Sequence, residues 1–311
     1  MALDYSSGSL IQQGLLDAFN EGGRWYVAYP TIAPIMPVTE RGGTLQVLPV
    51  SASTPGDGFN INKTAGAAYT QAAGAYESVP FTTQPVGVEA AIDRSFRLPE
   101  TAAIDAARQC RRLVDTVLEA IVKEMALATS NGFPAVPAVA AWDATGADPA
   151  TDVAKAAAVI RAATGMYPNI LVVNGWAWET LLGSPVLRDR LALSVTRGPA
   201  EVERALGALL GVERVVRSTV MGGSVPAAMW PDTTAWVGVC ALPGDPPSEP
   251  SAMRLAAWTG EGADESGWVV ETYYDERTRS DYVRVRGNLG LVVVSKKLGC
   301  RITGIKTTTS S

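Results

Sequence analysis

Apolar residues recur at threes and fours along several stretches of the chain and alternate with polar ones along others, so helices and short strands share it. Positions 1–20 predict a short amphipathic helix with Leu10, Ile11, Leu15, Leu16 and Phe19 on one side. The following EGGRWYVAYPTIAPIMPV is apolar and aromatic, yet its prolines remove the donors an interior strand needs. It reads as an extended arm that needs another surface, such as that of a second subunit, to bury Trp25, Tyr26, Tyr29, Ile32 and Ile35. From 41 to 88, candidate strands near 44–50 and 76–88 flank a middle of Gly, Ala, Ser, Thr and Asn, which predicts a protruding two-stranded loop.

The longest regular element is LPETAAIDAARQCRRLVDTVLEAIVKEMALATSNG. Pro99 and Glu100 suit its first turn, and Gly132 stands just past its end beside Asn131. Val114, Val117, Leu118, Ile121, Met125 and Ala128 give it an apolar stripe. A helix of about 28 residues would run about 42 Å, a long strut for one domain. Beyond it, Asp148 and Pro149 predict a capped helix that Gly165 stops. A strand at 170–174, helices near 176–182, 185–193 and 199–211, and strands in ERVVRSTV and TTAWVGVCALP then make a compact α/β unit over about 149–243. The rest alternates as strands do: MRLAAWT, WVVETYYDERTRSDYVRVR, LGLVVVSKK and CRITGI, with Val283 and Val285 set against Arg284 and Arg286. These strands need the long helix to cover them, so one domain is expected to be interrupted by the α/β unit. No internal repeat is present.

Composition narrows the chemistry. At 311 residues the chain can bury a core of one large or two ordinary domains. It contains no histidine, which removes Ser-His-Asp and Cys-His nucleophile systems, histidine metal sites and the commonest general base. Cys110, Cys240 and Cys300 lack metal-ligand spacing and read as packing in a reducing compartment. A net charge of −5 gives no general reason to bind nucleic acid. The opening MALDYSSGSLIQQ lacks the features of a signal peptide, and no apolar run is long enough to span a membrane.

Motifs that look chemical fail on spacing. PGDGFNINKTAG has Asn62, not glycine, before Lys63, and no helix follows, so it is no phosphate loop. Asn62, Lys63 and Thr64 match a glycosylation acceptor, which matters only in a secreted chain. NILVVNGWAWE has one glycine, Gly175, where a dinucleotide turn needs three, and Trp176 and Trp178 stand where a phosphate needs bare backbone, so packing is its role. Asp275, Glu276, Arg277, Arg279 and Asp281 read as an exposed hairpin tip, and neither they nor GEGADES have calcium-loop spacing. No catalytic, cofactor-binding or metal-binding residue is assigned. Arg108, Arg111 and Arg112 form a positive patch that is either a solvated face or a contact to an acidic loop of a neighbour, with Glu77, Glu89 and Glu100 as candidate partners.

The order of arm, sparse hairpin, strut helix, inserted α/β unit and returning strands resembles the major capsid proteins of tailed double-stranded DNA bacteriophages, the HK97-like fold. Its sharpest pieces are AYESVPFTTQPVGVEAAIDRSFR, YPNILVVNGWAWETLLGSPVLRDRL and WVVETYYDERTRSDYVRV. The resemblance implies an α+β fold with an N-terminal arm at 1–40 and an extended loop at 41–88. A peripheral domain would occupy 89–144, with its spine helix, and 258–311, and an axial domain would occupy 145–257. It further implies hexamers and pentamers of an icosahedral shell made in the host bacterial cytoplasm, enclosing double-stranded DNA without sequence-specific binding. A separate scaffolding protein, a portal and a decoration protein are the implied partners, and no cofactor or membrane is. Trp25, Tyr26, Tyr29, Lys63, Arg108, Arg111 and Arg112 are the candidate assembly contacts. Some relatives crosslink a loop lysine to a late asparagine; Lys63 and Asn288 occupy such positions without a motif to pair them, and no crosslink is expected. The alternatives are a bacterial nanocompartment shell of the same fold enclosing cargo enzymes, a histidine-free α/β enzyme with a polar pocket near Asn174 and Glu179, and, more remotely, an adhesin or tail component.

Overall fold

The computed structural model describes residues 8–21, 27–47, 76–92, 99–191, 199–222, 227–260, 262–264, 266–278 and 280–307. Helix α1 (Gly8–Glu21) buries Leu15, Ala18 and Phe19, as its amphipathic spacing predicts. The arm then makes a single-turn helix α2 (Tyr29–Ile32) and a strand β1 (Ile35–Val38). Pro30 falls in the first turn of α2, where a missing N–H costs nothing, and Pro37 falls in an edge strand. The two strands of the loop, β2 (Gly42–Val47) and β3 (Glu77–Thr82), pair antiparallel from Gly42 opposite Thr82 to Val47 opposite Glu77. Strand β4 (Gln84–Ala91) leads to the spine helix α3 (Pro99–Leu127), which gives way to a 3-10 turn at Thr129–Asn131 and a left-handed Gly132 at φ 76°.

A short β5 (Ala135–Pro137) precedes α4 (Pro149–Thr164), whose ends match the sequence expectation. Asp148 caps it by accepting the N–H of Ala150, and Gly165 stops it at φ 75°. Asp148→Ala is expected to cost about 1 kcal/mol, seen as a lowered Tm with an unchanged denaturant m-value. The chain continues through β6 (Ile170–Asn174), α5 (Gly175–Gly183), α6 (Pro185–Leu191), α7 (Pro199–Leu210) and β7 (Arg214–Ser218). Two short strands, β8 (Met221–Gly222) and β9 (Ala227–Ala228), then precede β10 (Thr234–Gly238), β11 (Met253–Trp258), β12 (Trp268–Asp275), β13 (Ser280–Val293) and β14 (Gly299–Thr303).

Two five-stranded sheets organise these elements. In the first, β13 is the axle: β12 and β11 pair along one edge, β4 along the other, and β1 adds to β11 in parallel. Val283, Val285 and Leu289 of β13 are buried while Arg284 and Arg286 face away, the alternation of a half-covered strand. The spine helix covers the apolar face, and α1 lies beside it with Phe19 against Trp268, ring centroids 5.8 Å apart. The second sheet runs β5-β14-β10-β6-β7, with all five residues of β6 buried. Its core includes fully buried Trp236, whose ring meets Phe133 edge-on at 6.1 Å.

Several expectations need correction. CRITGI does not return to the spine-covered sheet; as β14 it sits between β5 and β10 inside the α/β unit. MRLAAWT is β11 of the spine-covered sheet, as its strand pattern predicts, so only the axial boundary at 257 implied by the resemblance needs to move. The 84–88 end of the presumed loop is β4, a member of that same sheet. The middle of the loop, 48–75 with Lys63, lies outside the described residues. On the spine helix, Val114 and Leu118 are buried, but Val117 and Ile121 are each 40% exposed. The buried track instead runs through Ala103, Ala107, Cys110, Val114, Leu118, Val122 and Ala126. Small residues let the helix approach closely, so alanines carry a seam that larger apolar residues seemed to mark.

Candidate site at the junction of arm, spine and α/β unit

The spine helix carries two carboxylates, Asp115 and Glu119, one turn apart on its buried side. They are 1% and 0% exposed, an expensive position that needs several donors to be tolerated. Glu119 has four. Its Oε2 accepts the backbone N–H groups of Ala28 and Tyr29, both at 2.9 Å. Its Oε1 accepts Ser218 Oγ at 2.6 Å and Trp230 Nε1 at 2.5 Å. One oxygen therefore serves the arm and the other the α/β unit. Burial pushes the Glu119 carboxyl above the usual range, and the four donors pull against it without cancelling it.

Asp115 accepts the Tyr29 hydroxyl and Arg111 Nε, each at 2.9 Å, and burial raises its carboxyl as well. Arg111 also donates to Tyr29 Oη at 3.3 Å and lies over the Phe19 ring at 5.2 Å. Tyr29 is 3% exposed, so desolvation drives its phenol far above its ordinary value.

The α/β face of the junction comes from the stretch NILVVNGWAWE. Asn174 caps α5 by accepting the Ala177 N–H at 2.8 Å, and its Nδ2 donates to the Trp230 carbonyl at 3.3 Å. It also stands opposite Ser218 in the β6–β7 register. Trp178 is buried and Trp176 half-buried, so the stretch packs, as read from its sequence. A second tie joins the α/β unit to the spine: Arg301 of β14 donates to the carbonyls of Leu127 at 2.6 Å and Phe133 at 3.3 Å.

Of the predicted contact residues, Tyr29 and Arg111 come together at Asp115. Trp25, Tyr26 and Lys63 lie outside the described residues. The arm's Tyr29 and Ile32 find the surface they need within the chain itself. Arg111 is bonded to Asp115 and Tyr29 of its own chain, the salt-bridged alternative for this patch. Arg108 lies 4.0 Å from Asp105 in an exposed pair, and Arg112 is exposed. Of the candidate acids, Glu89 is held by Arg284 at 2.6 Å and Tyr273 at 2.8 Å, and Glu77 is exposed. Asp281 is not on an exposed tip: it is 4% exposed within β13. Asn288 stands in β13 opposite Pro85.

A recess of about 500 Å³ opens beside Asn174, Glu179, Trp176 and Asp232, but the Asn174 amide is spent on its cap and on Trp230. The three cysteines are buried, with Cys110 and Cys300 pushed up to about 11 by desolvation, which suppresses the reactive thiolate. Among the described residues no group of three or more His, Cys, Asp or Glu is placed to hold a metal, and no helix is long and apolar enough to cross a membrane.

No protein-family model and no curated protein matches the sequence. Solved structures do match. A phage-related protein from Bordetella bronchiseptica RB50 superposes with a TM-score of 0.72 at 20% identity, over 96% of this chain and 98% of that one. A virus-like particle from Pyrococcus furiosus gives 0.53 at 12% identity, over 96% and 100%. The putative capsid protein of a prophage of E. coli CFT073 gives 0.56 at 10% identity, over 94% and 98%. The chain has an HK97-like fold. The matches run over nearly the whole length of both chains, so the likeness is to the fold as a whole and not to one part of it. Glu119 escaped the sequence reading, although a glutamate between Leu118 and Val122 on a buried stripe is a usable signal.

Proposed function

We propose that the chain is a major capsid protein, a structural subunit that assembles into hexamers and pentamers of an icosahedral shell around double-stranded phage DNA. The observation that supports it most is the end-to-end correspondence with phage-related and capsid structures at TM-scores above 0.5. In this reading the arm, the extended loop, a spine-bearing peripheral domain and an axial domain take the roles their order implies. A separate scaffolding protein, a portal and a decoration protein are the proposed partners. Net negative charge suits a wall that holds DNA by closure, because each phosphate contact would add salt-dependent affinity. No catalysis is assigned to it.

Sedimentation of the purified protein, with nuclease-resistant DNA and co-purifying enzymes assayed in the same fractions, tests the proposal. Large particles that protect DNA are expected. Particles that hold cargo enzymes instead would favour a nanocompartment shell.

Trp25, Tyr26 and Lys63 remain proposed contacts, the first two because aromatic area on an arm gains most by burial against a neighbour. Arg112 is the arginine of the patch best placed to meet a neighbour, being exposed on the spine. Arg112→Glu is expected to leave subunit stability within about 0.5 kcal/mol, as exposed substitutions do, while reducing particle yield. Unchanged yield in a sedimentation assay would remove Arg112 from the contact.

A further inference from the structure

Glu119 divides its two oxygens between parts of the chain that lie on opposite sides of the spine helix in sequence and topology. Residues 28 and 29 of the arm hold one oxygen; Ser218 at the end of β7 and Trp230 before β10 hold the other. Three of the four partners, the two backbone amides and the indole, are N–H groups that donate and cannot accept. A side chain that satisfies all of them must therefore present an acceptor on both sides at once, which a carboxylate does and an amide does not. The pieces it joins are otherwise secured separately. The arm is secured by the apolar cover of Tyr29 and Ile32, and the α/β unit by its own sheet and the Arg301 tie to Leu127.

We infer that Glu119 is a coupling latch: seating of the arm at residues 28–29 and seating of the α/β unit at Ser218 and Trp230 reinforce one another through this single carboxylate. Drawing the arm away leaves Oε2 buried without donors, so hydration of the carboxylate competes with its bonds to Ser218 and Trp230. Loosening the α/β face has the reciprocal effect on the arm, as thermodynamic coupling requires. Asp115 does not share this role, because its bonds go to Tyr29 and Arg111 and reach no part of the α/β unit. The latch belongs to the single chain and does not depend on the shell reading. In a shell, it would let a neighbour that captures the arm also free the α/β unit to reorient.

Hydrogen–deuterium exchange on the full-length protein tests the latch. Ser218→Ala and Trp230→Phe alter only the α/β side, yet each is expected to speed amide exchange across 27–33 by about tenfold, the effect of weakening a bond to a charged group. Ile32→Ala on the arm is expected to speed exchange across 214–220 in return. In a Glu119→Gln background, where one amide can accept from only one side, Ser218→Ala and Trp230→Phe should add less than about twofold at 27–33, since the coupling is already broken. Ile160→Ala, in α4, controls for general loosening and should leave 27–33 within about twofold of the parent. The inference is overturned if Ser218→Ala and Trp230→Phe leave exchange at 27–33 unchanged, or if they accelerate it equally with Glu119 and with Gln at that position.

Discussion

Glu119→Ala should lower the free energy of unfolding by about 3 kcal/mol, measured by chemical denaturation at neutral pH. Two opposing effects set that figure. Removing the carboxylate strands the N–H groups of Ala28 and Tyr29 and the indole N–H of Trp230 in a buried site, at about 1–3 kcal/mol for each. It also relieves the cost of holding a charge where burial raises the carboxyl pKa, which returns part of the loss. The sign of that relief is fixed: a carboxyl raised in the folded state costs stability above its folded pKa, and the cost disappears as the pH falls below the ordinary glutamate value. Both effects act at neutral pH, and three stranded N–H donors are expected to outweigh the relief of one carboxylate. Glu119→Gln, which keeps one acceptor, is expected to cost about half as much. A loss below about 0.5 kcal/mol for the alanine variant would mean that water replaces the carboxylate at no penalty.

Gly290→Val should displace the base of the extended loop. A Cβ at position 290 would lie 2.1 Å from the Thr82 carbonyl oxygen and 3.0 Å from its carbon, atoms of the β3 backbone that cannot rotate aside. The hairpin must lift from β13. With it moves the satellite core in which Leu45 and Val47 pack on Met36, Ala256, Val292 and Val294. Overpacking of this kind costs about 2–3 kcal/mol, which denaturation will register. On the proposed shell reading the larger consequence is for assembly: a hairpin re-aimed at its root would miss the neighbouring subunit, so few or misshapen particles are expected by electron microscopy. Parent-like stability together with parent-like particles would show that the hairpin root has slack at this crossing.

Much of the architecture was legible because local chemistry and global fold agree. Asp148, Pro149 and Gly165 bracket α4 as their capping preferences dictate, and Val283, Arg284, Val285 and Arg286 alternate across β13 as a half-covered strand must. The arm was legible only in part. Its prolines signalled broken structure, but they suit a first turn and an edge strand equally well, so Tyr29 and Ile32 end in the chain's own core. Strand β14 shows why sheet membership was not legible: CRIT states a buried strand but not which sheet claims it, and that choice rests on pairing with residues 63 and more positions away. The junction was least visible of all. Glu119 acquires meaning only when Ala28, Ser218 and Trp230, remote in sequence, come within hydrogen-bonding distance of it.

Imaging the purified native assembly tests most directly whether this chain closes into the proposed shell. Closed icosahedral particles built from hexamers and pentamers, with density for packed DNA inside, are predicted. A uniform monomer or small oligomer under assembly-permissive conditions would contradict the claim and return attention to the recess beside Asn174.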